Sequence, residues 1–271
     1  MSVVVSAPPH IKEGASAKKM VWDVIIALLP AVAASVHFFG LQALTIISTS
    51  VLAAVCTDGI IQKMRLKKVT ITDGSAVVTG LLLALLLPSN VPLWVPIVGA
   101  FVAVAIAKHA FGGYGSNIFN PALVGWAFLT MAWPMHMAMD VARLADIPPV
   151  VLLVCAVFLF LLNRGYIKWQ ISAAYLITTV SLMALFTIDI SRIFIGIFIL
   201  GVFFMATDPV TTPVTKKGRF VFGIGCGILT VIYGLYGSYA EGVGYSILLM
   251  NSVTPLIDRF TRPKPLREDK P

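Results

Sequence analysis

Four carboxylates stand within or at the edges of long apolar runs: Asp23, Asp58, Asp73 and Asp208. An ionised carboxylate is costly in lipid and by default marks an ion or substrate route. Asp208 carries the strongest signal, because it lies in Phe203-Phe204-Met205-Ala206-Thr207-Asp208-Pro209, where Pro209 ends a helix and frees carbonyl oxygens beside a carboxylate. Oxygen ligands of that kind suit a hard cation such as Na⁺ or a relayed proton. Asp73 matters because Gly74 follows it and the next apolar stretch is short, ending at Leu87-Pro88. That is the pattern of a half-spanning element lining a cavity. Asp189, in Thr187-Ile188-Asp189-Ile190-Ser191, reads as a helix cap. Asp23 and Asp58 lie toward the same face as Asp208, where water or a nearby lysine can satisfy them.

The residues that usually carry redox chemistry are sparse. Cys56, Cys155 and Cys226 sit singly in apolar segments, without a partner at metal or redox spacing. They read as ordinary buried cysteines, and no iron–sulfur cluster or zinc site is expected in this chain. His10, His37, His109 and His136 fall in a tail or at segment boundaries. They read as interfacial polar residues, so a haem held by two histidines is not expected either. No metal site and no complete set of catalytic residues is expected.

The elements that must position these acids are membrane helices. Of 271 residues, 58% are apolar and 12% are charged, against about 45–50% and 25% in soluble domains. The apolar runs are continuous, which excludes a transmembrane barrel. Ten segments emerge, at 20–37, 41–61, 74–88, 93–111, 120–134, 148–163, 169–187, 190–206, 219–236 and 242–257. With the amino terminus in the cytoplasm, all of the 20 Lys and Arg residues except Arg143 and Arg192 fall in tails, loops or the segment ends beside them on one side. That is the positive-inside pattern, with a multi-pass chain in the cell membrane and both termini cytoplasmic. The net charge of +8 therefore needs no nucleic-acid partner. Residues 1–19 lack the apolar core of a cleavable signal.

Ten segments divide into two sets of five, 20–134 and 148–257, joined by a short outer loop at 135–147 and flanked by tails at 1–19 and 258–271. An odd number per set turns the second upside down relative to the first, the common plan of secondary transporters. In such folds, short or Gly/Pro-broken segments at matching positions point to the binding site. The fifth segment follows Gly112-Gly113-Tyr114-Gly115-Ser116-Asn117 and opens with Asn120-Pro121; the tenth carries Asn251 and Pro255. The third and eighth are the other matched pair, opened by Asp73 and Asp189.

Phe204-Met205-Ala206-Thr207-Asp208-Pro209-Val210, Gly218-Arg219, Phe222-Gly223-Ile224-Gly225, Glu241-Gly242, Tyr245 to Asn251 and Pro255 to Arg259 closely resemble the RnfD family, the D-type membrane component of Rnf-type ion-translocating electron-transport complexes. The B-type component of the sodium-pumping NADH:quinone oxidoreductase is a relative of that family. Thr72 to Ala76, Thr79 to Leu82 and Phe119-Asn120-Pro121-Ala122 extend the resemblance into the first half. It implies an all-α integral membrane protein of ten transmembrane or half-spanning helices in two inverted five-helix repeats, similar to urea transporters. It implies work beside the A, B, C, E and G components of the Rnf complex, with G the nearest. The function implied is a Na⁺ or H⁺ pump driven by electron flow from reduced ferredoxin to NAD⁺ or a membrane carrier. The resemblance implies an ion path past Phe204 and Asp208, to which the reading of the residues adds Thr207 and Asp73.

The same resemblance implies a flavin mononucleotide joined to a threonine in the outer loop after the fifth segment. Here that loop, Pro134 to Ile147, contains neither Ser nor Thr, so a phosphoester cannot form there and covalent flavin is expected to be absent. A noncovalent riboflavin or flavin mononucleotide could use Gly112, Gly113, Asn117, Asn120 and Asn251, although the same residues suit helix ends and turns. A stand-alone channel or permease for a small solute or cation, and a purely structural scaffold, would share the plan without redox chemistry.

Overall fold

The structure, a computed structural model, describes residues 17–65, 70–137, 143, 145–162, 168–189, 191 and 195–262. Both chain ends, the middle of the 134–147 loop, and the basic residues Lys12, Lys67, Lys68, Arg164, Arg192, Lys264, Arg267 and Lys270 lie outside that set, as does His10.

The described chain is helical, and its helices fall on the ten apolar segments. Helix α1 (Ala17–Met64) contains the first two, folded at Gly40, whose φ of 68° and ψ of −155° interrupt the helix. A 3₁₀ turn (Ile71–Asp73) leads into α2 (Ser75–Leu86). Helix α3 (Trp94–Phe101) widens into a π-helix (Val102–His109), and α4 (Pro121–Ala132) follows a glycine-rich turn. Beyond the outer loop come α5 (Pro149–Leu162), α6 (Trp169–Leu185), and α7 (Gly196–Leu200), which also continues as a π-helix (Gly201–Met205). Helices α8 (Lys216–Tyr236) and α9 (Tyr239–Thr261) complete the chain.

Length separates these helices into two kinds. A bilayer core of about 30 Å needs about 20 helical residues. Helix α8 has 21 residues and enough apolar character to cross. Helix α2 has 12, or about 18 Å at 1.5 Å per residue, and reaches only part of the way. The most apolar stretch of α1 is just 28% buried, whereas the core helix of a soluble protein would be mostly covered. Leu41, Leu52, Met131, Val150, Ile177 and Leu185 likewise point outward. A described chain built of helices with this apolar exterior fits a membrane protein.

Small residues let the helices approach, as in other lipid-embedded bundles. At Gly80 an added Cβ would lie 2.7 Å from the Val51 Cα, and the Ser50 hydroxyl donates to the Gly80 carbonyl at 2.8 Å. Buried hydroxyls tie α6, α8 and α9 together: Tyr175 Oη lies 2.6 Å from Thr230 Oγ1 and 3.1 Å from Ser246 Oγ.

Two expectations change. The tenth segment is not broken, because α9 runs for 23 residues through Pro255; a proline removes one N–H, and one lost bond does not end a helix this long. In the eighth segment the α-helix α7 begins at Gly196, and residues 190 and 192–194 lie outside the described set. Cys155 and Cys226 are buried, but Cys56 is exposed on α1, where a thiol tolerates an apolar environment.

Candidate functional site

The ends of many elements converge at one end of the bundle around a cavity of about 100 Å³. Its walls come from the start of α1 (Met20, Val21, Val24), the start of α2 (Ser75, Val78, Thr79), the π-helix end (Lys108), and the glycine-rich turn and α4 start (Tyr114, Asn117, Asn120). Leu159 of α5 and the segment Phe204, Thr207, Asp208, Pro209 close it. This is the basic end of the molecule. At the opposite end Ala145 donates to the Leu85 carbonyl at 3.0 Å, Pro88 pairs with Arg143, and Trp94 packs edge-on against Trp133 and His136.

Each polar wall residue is placed by local geometry. The wide turn of the second π-helix, closed by Ala206 N–H donating to the Gly201 carbonyl at 2.7 Å, delivers Phe204, Thr207 and Asp208 together. Thr207 Oγ1 donates to the Phe203 carbonyl at 2.6 Å, and the Asp208 carboxylate accepts from Val210 N–H at 3.0 Å. Asn120 is the cap of α4, its Oδ1 accepting from Ala122 and Leu123 N–H at 3.1 and 3.4 Å, with Pro121 preset for the first turn. Asn251 braces two of these segments: its Oδ1 accepts from Asn120 N–H and its Nδ2 donates to the Thr211 carbonyl, each at 3.2 Å. Asn117 is buried; its Nδ2 donates to Phe119 O at 3.2 Å, while its Oδ1 has no protein donor. A buried acceptor left open beside a carboxylate calls for water or a cation.

Electrostatics at this end favour softened charges. Burial raises the Asp208 carboxyl above the usual range, with the Val210 N–H and the Lys168 charge pulling the other way. Lys168, at the start of α6, donates to Thr212 Oγ1 at 2.7 Å. Burial and then Arg219 push it down to about 8, against Asp208 and Asp258. Partial burial, then the Asp208 and Asp73 carboxylates, push the Tyr114 hydroxyl up to about 12.

Of the residues singled out in the sequence, Phe204, Thr207, Asp208, Asn117 and Asn120 line the cavity. Asp73 does not; its Oδ1 accepts from Ser75 N–H and Oγ at 2.8 and 2.7 Å and holds that residue in the wall. Gly112 and Gly113 form the preceding turn, at φ of 120° and 111°, and Asn251 stands behind the wall. The five residues suited to a flavin by type thus do not enclose one site. As it stands, the cavity has room for several waters or a hydrated cation.

Sequence reasoning missed a buried cluster in the same wall. Asp58 is fully buried, and its Oδ1 accepts from Lys108 Nζ at 2.8 Å and His109 Nε2 at 2.6 Å. Its Oδ2 accepts from Gln62 Nε2 at 2.9 Å. Asp58 is therefore satisfied by a lysine and His109 is buried rather than interfacial. An acid in one apolar segment and a lysine at the end of another was the available signal.

The NQR2, RnfD, RnfE family profile matches residues 4–148 and 147–267. The D component of the ion-translocating oxidoreductase complex of Methanosarcina acetivorans is 44% identical over 98% of this chain and 97% of its own. The D component of the Na⁺-translocating ferredoxin:NAD⁺ oxidoreductase complex of Acetobacterium woodii is 41% identical over 97% and 94%. Its proton-translocating counterpart in Clostridium ljungdahlii is 39% identical over 96% and 94%. With the family profile covering nearly the whole length, this chain belongs to the NQR2, RnfD, RnfE family.

Proposed function

We propose that this chain is the D-type membrane component of an ion-translocating oxidoreductase fed by reduced ferredoxin, and that the cavity at its basic end is a station for the transported Na⁺ or H⁺. The observation that carries this reading is the meeting of Asp208, Thr207, Phe204 and the open Asn117 acceptor in one small cavity. The relatives whose names specify an ion divide between Na⁺ and protons, and a carboxylate with neutral oxygens can serve either.

The chain is read as ten transmembrane or half-spanning segments in two inverted halves, with both termini cytoplasmic. Matching turns support the inversion: Asp73 accepts from the Ser75 N–H and hydroxyl, and Asp189 accepts from the Ser191 N–H and hydroxyl at 2.9 and 2.7 Å. So do the packing of α1 on α5 and of α4 on α9, which pair each half's first and last elements. The A, B, C, E and G components of the complex are the expected neighbours, G the nearest. With no hydroxyl in the 134–147 loop, the chain carries no phosphoester-linked flavin, and its intact mass is that of the polypeptide.

The test is reconstitution. Oxidation of reduced ferredoxin by the assembled complex in proteoliposomes is expected to drive ion uptake, while this chain in isolation conducts none. Passive flux through the isolated chain would instead identify a channel.

A further inference from the structure

One wall of the cavity carries a buried lysine. Lys108 is 2% exposed and faces the cavity from the end of the first π-helix. Its ammonium donates to Asp58 Oδ1 at 2.8 Å and to Ser75 Oγ at 2.7 Å. Ser75 in turn donates to Asp73. The lysine thus bridges α1 and α2 while lining the cavity.

Burying an ion pair is costly unless both charges are well hydrogen-bonded, as these are. Here the pair has a second consequence. Asp58 and Lys108 cancel each other at distance, yet the ammonium is the member that lines the space shared with Asp208. A lysine stem is flexible and its ammonium acts as a point charge.

We propose that Lys108 is a tethered counter-cation of this cavity, held at the wall by Asp58 and Ser75, and that it sets how readily a monovalent cation enters. The inference rests on the reading of the cavity as the ion station. Removing the ammonium leaves Asp58 as an attractive charge; removing the carboxylate leaves the ammonium as a repulsive one. The two changes act in opposite directions, which a merely structural role would not produce.

The experiment uses the whole complex in proteoliposomes, with the Na⁺ series at one fixed pH, so that the wild type and both variants are compared under the same conditions. Ferredoxin-driven uptake is measured against Na⁺ concentration. Lys108→Gln is expected to lower the half-saturating Na⁺ by about tenfold, and Asp58→Asn to raise it by a similar factor, as unit charges at short range in a partly buried site require. Where wild-type uptake does not respond to Na⁺, the readout is the pH midpoint of proton uptake, which moves up in Lys108→Gln and down in Asp58→Asn. If one variant does not assemble, the shift in the other decides. Half-saturation or midpoint unchanged in the assembled variants overturns the proposal. Asp208→Asn separates the two readings: if it abolishes uptake while both wall variants behave as wild type, the tethered cation alone is wrong; if it transports normally, the cavity is not the station and both readings fall.

Discussion

Asp208 and Lys168 carry opposite charges in the same corner of the molecule, and burial moves both toward neutrality. For Lys168 the consequence is measurable. Its folded pKa of about 8 lies below the unfolded value of about 10.4, so between them the unfolded chain binds more protons and stability rises with pH. The thermal midpoint in detergent is therefore expected to climb from pH 8 to 10, and to climb less in Lys168→Met. An equal climb in the variant would show that Lys168 titrates normally. At this scale the sequence made local chemistry legible. Asp208 beside Pro209, and Asn120 before Pro121, act through neighbours within a few residues. Asp58 and Lys108 read only as separate boundary charges, because their bond spans 50 residues and depends on how two helices pack.

At the scale of elements, hydropathy located the helices because each must bury its backbone bonds in apolar surroundings. It could not reveal the two π-helical stretches, since a shift of hydrogen-bond register changes no composition. Yet those stretches aim Lys108 and Asp208 into the cavity. The fold in α1 was visible as the gap between the first two segments, and its cause is specific. An added Cβ at Gly40 would touch nothing within 4 Å, so the objection to a side chain there is conformational alone. Gly40→Ala is expected to cost about 1–3 kcal/mol, the usual penalty for a non-glycine residue in this backbone region, read as a lowered thermal midpoint. An unchanged midpoint would mean that the bend can be made another way.

Across the whole molecule, the described loops and helix ends gather at two poles. One pole carries Lys108, Lys168 and Asp208 around the cavity; the other carries the Trp94, Trp133 and His136 cluster. In the proposed reading the cavity gives a cation a place to pause, while Cys56, Cys155 and Cys226 are unpaired thiols. The proposed function would have a change of charge on a cofactor bias which arrangement of the helices is populated, and with it cation affinity and access. The central claim, that the transported ion passes Asp208, is tested most directly by ferredoxin-driven ion uptake in proteoliposomes holding the assembled Asp208→Asn complex. Uptake at least about tenfold slower, with every component of the complex present, is the expected result, because the neutral amide no longer balances the cation's charge in a partly buried site. Uptake at the wild-type rate would contradict it.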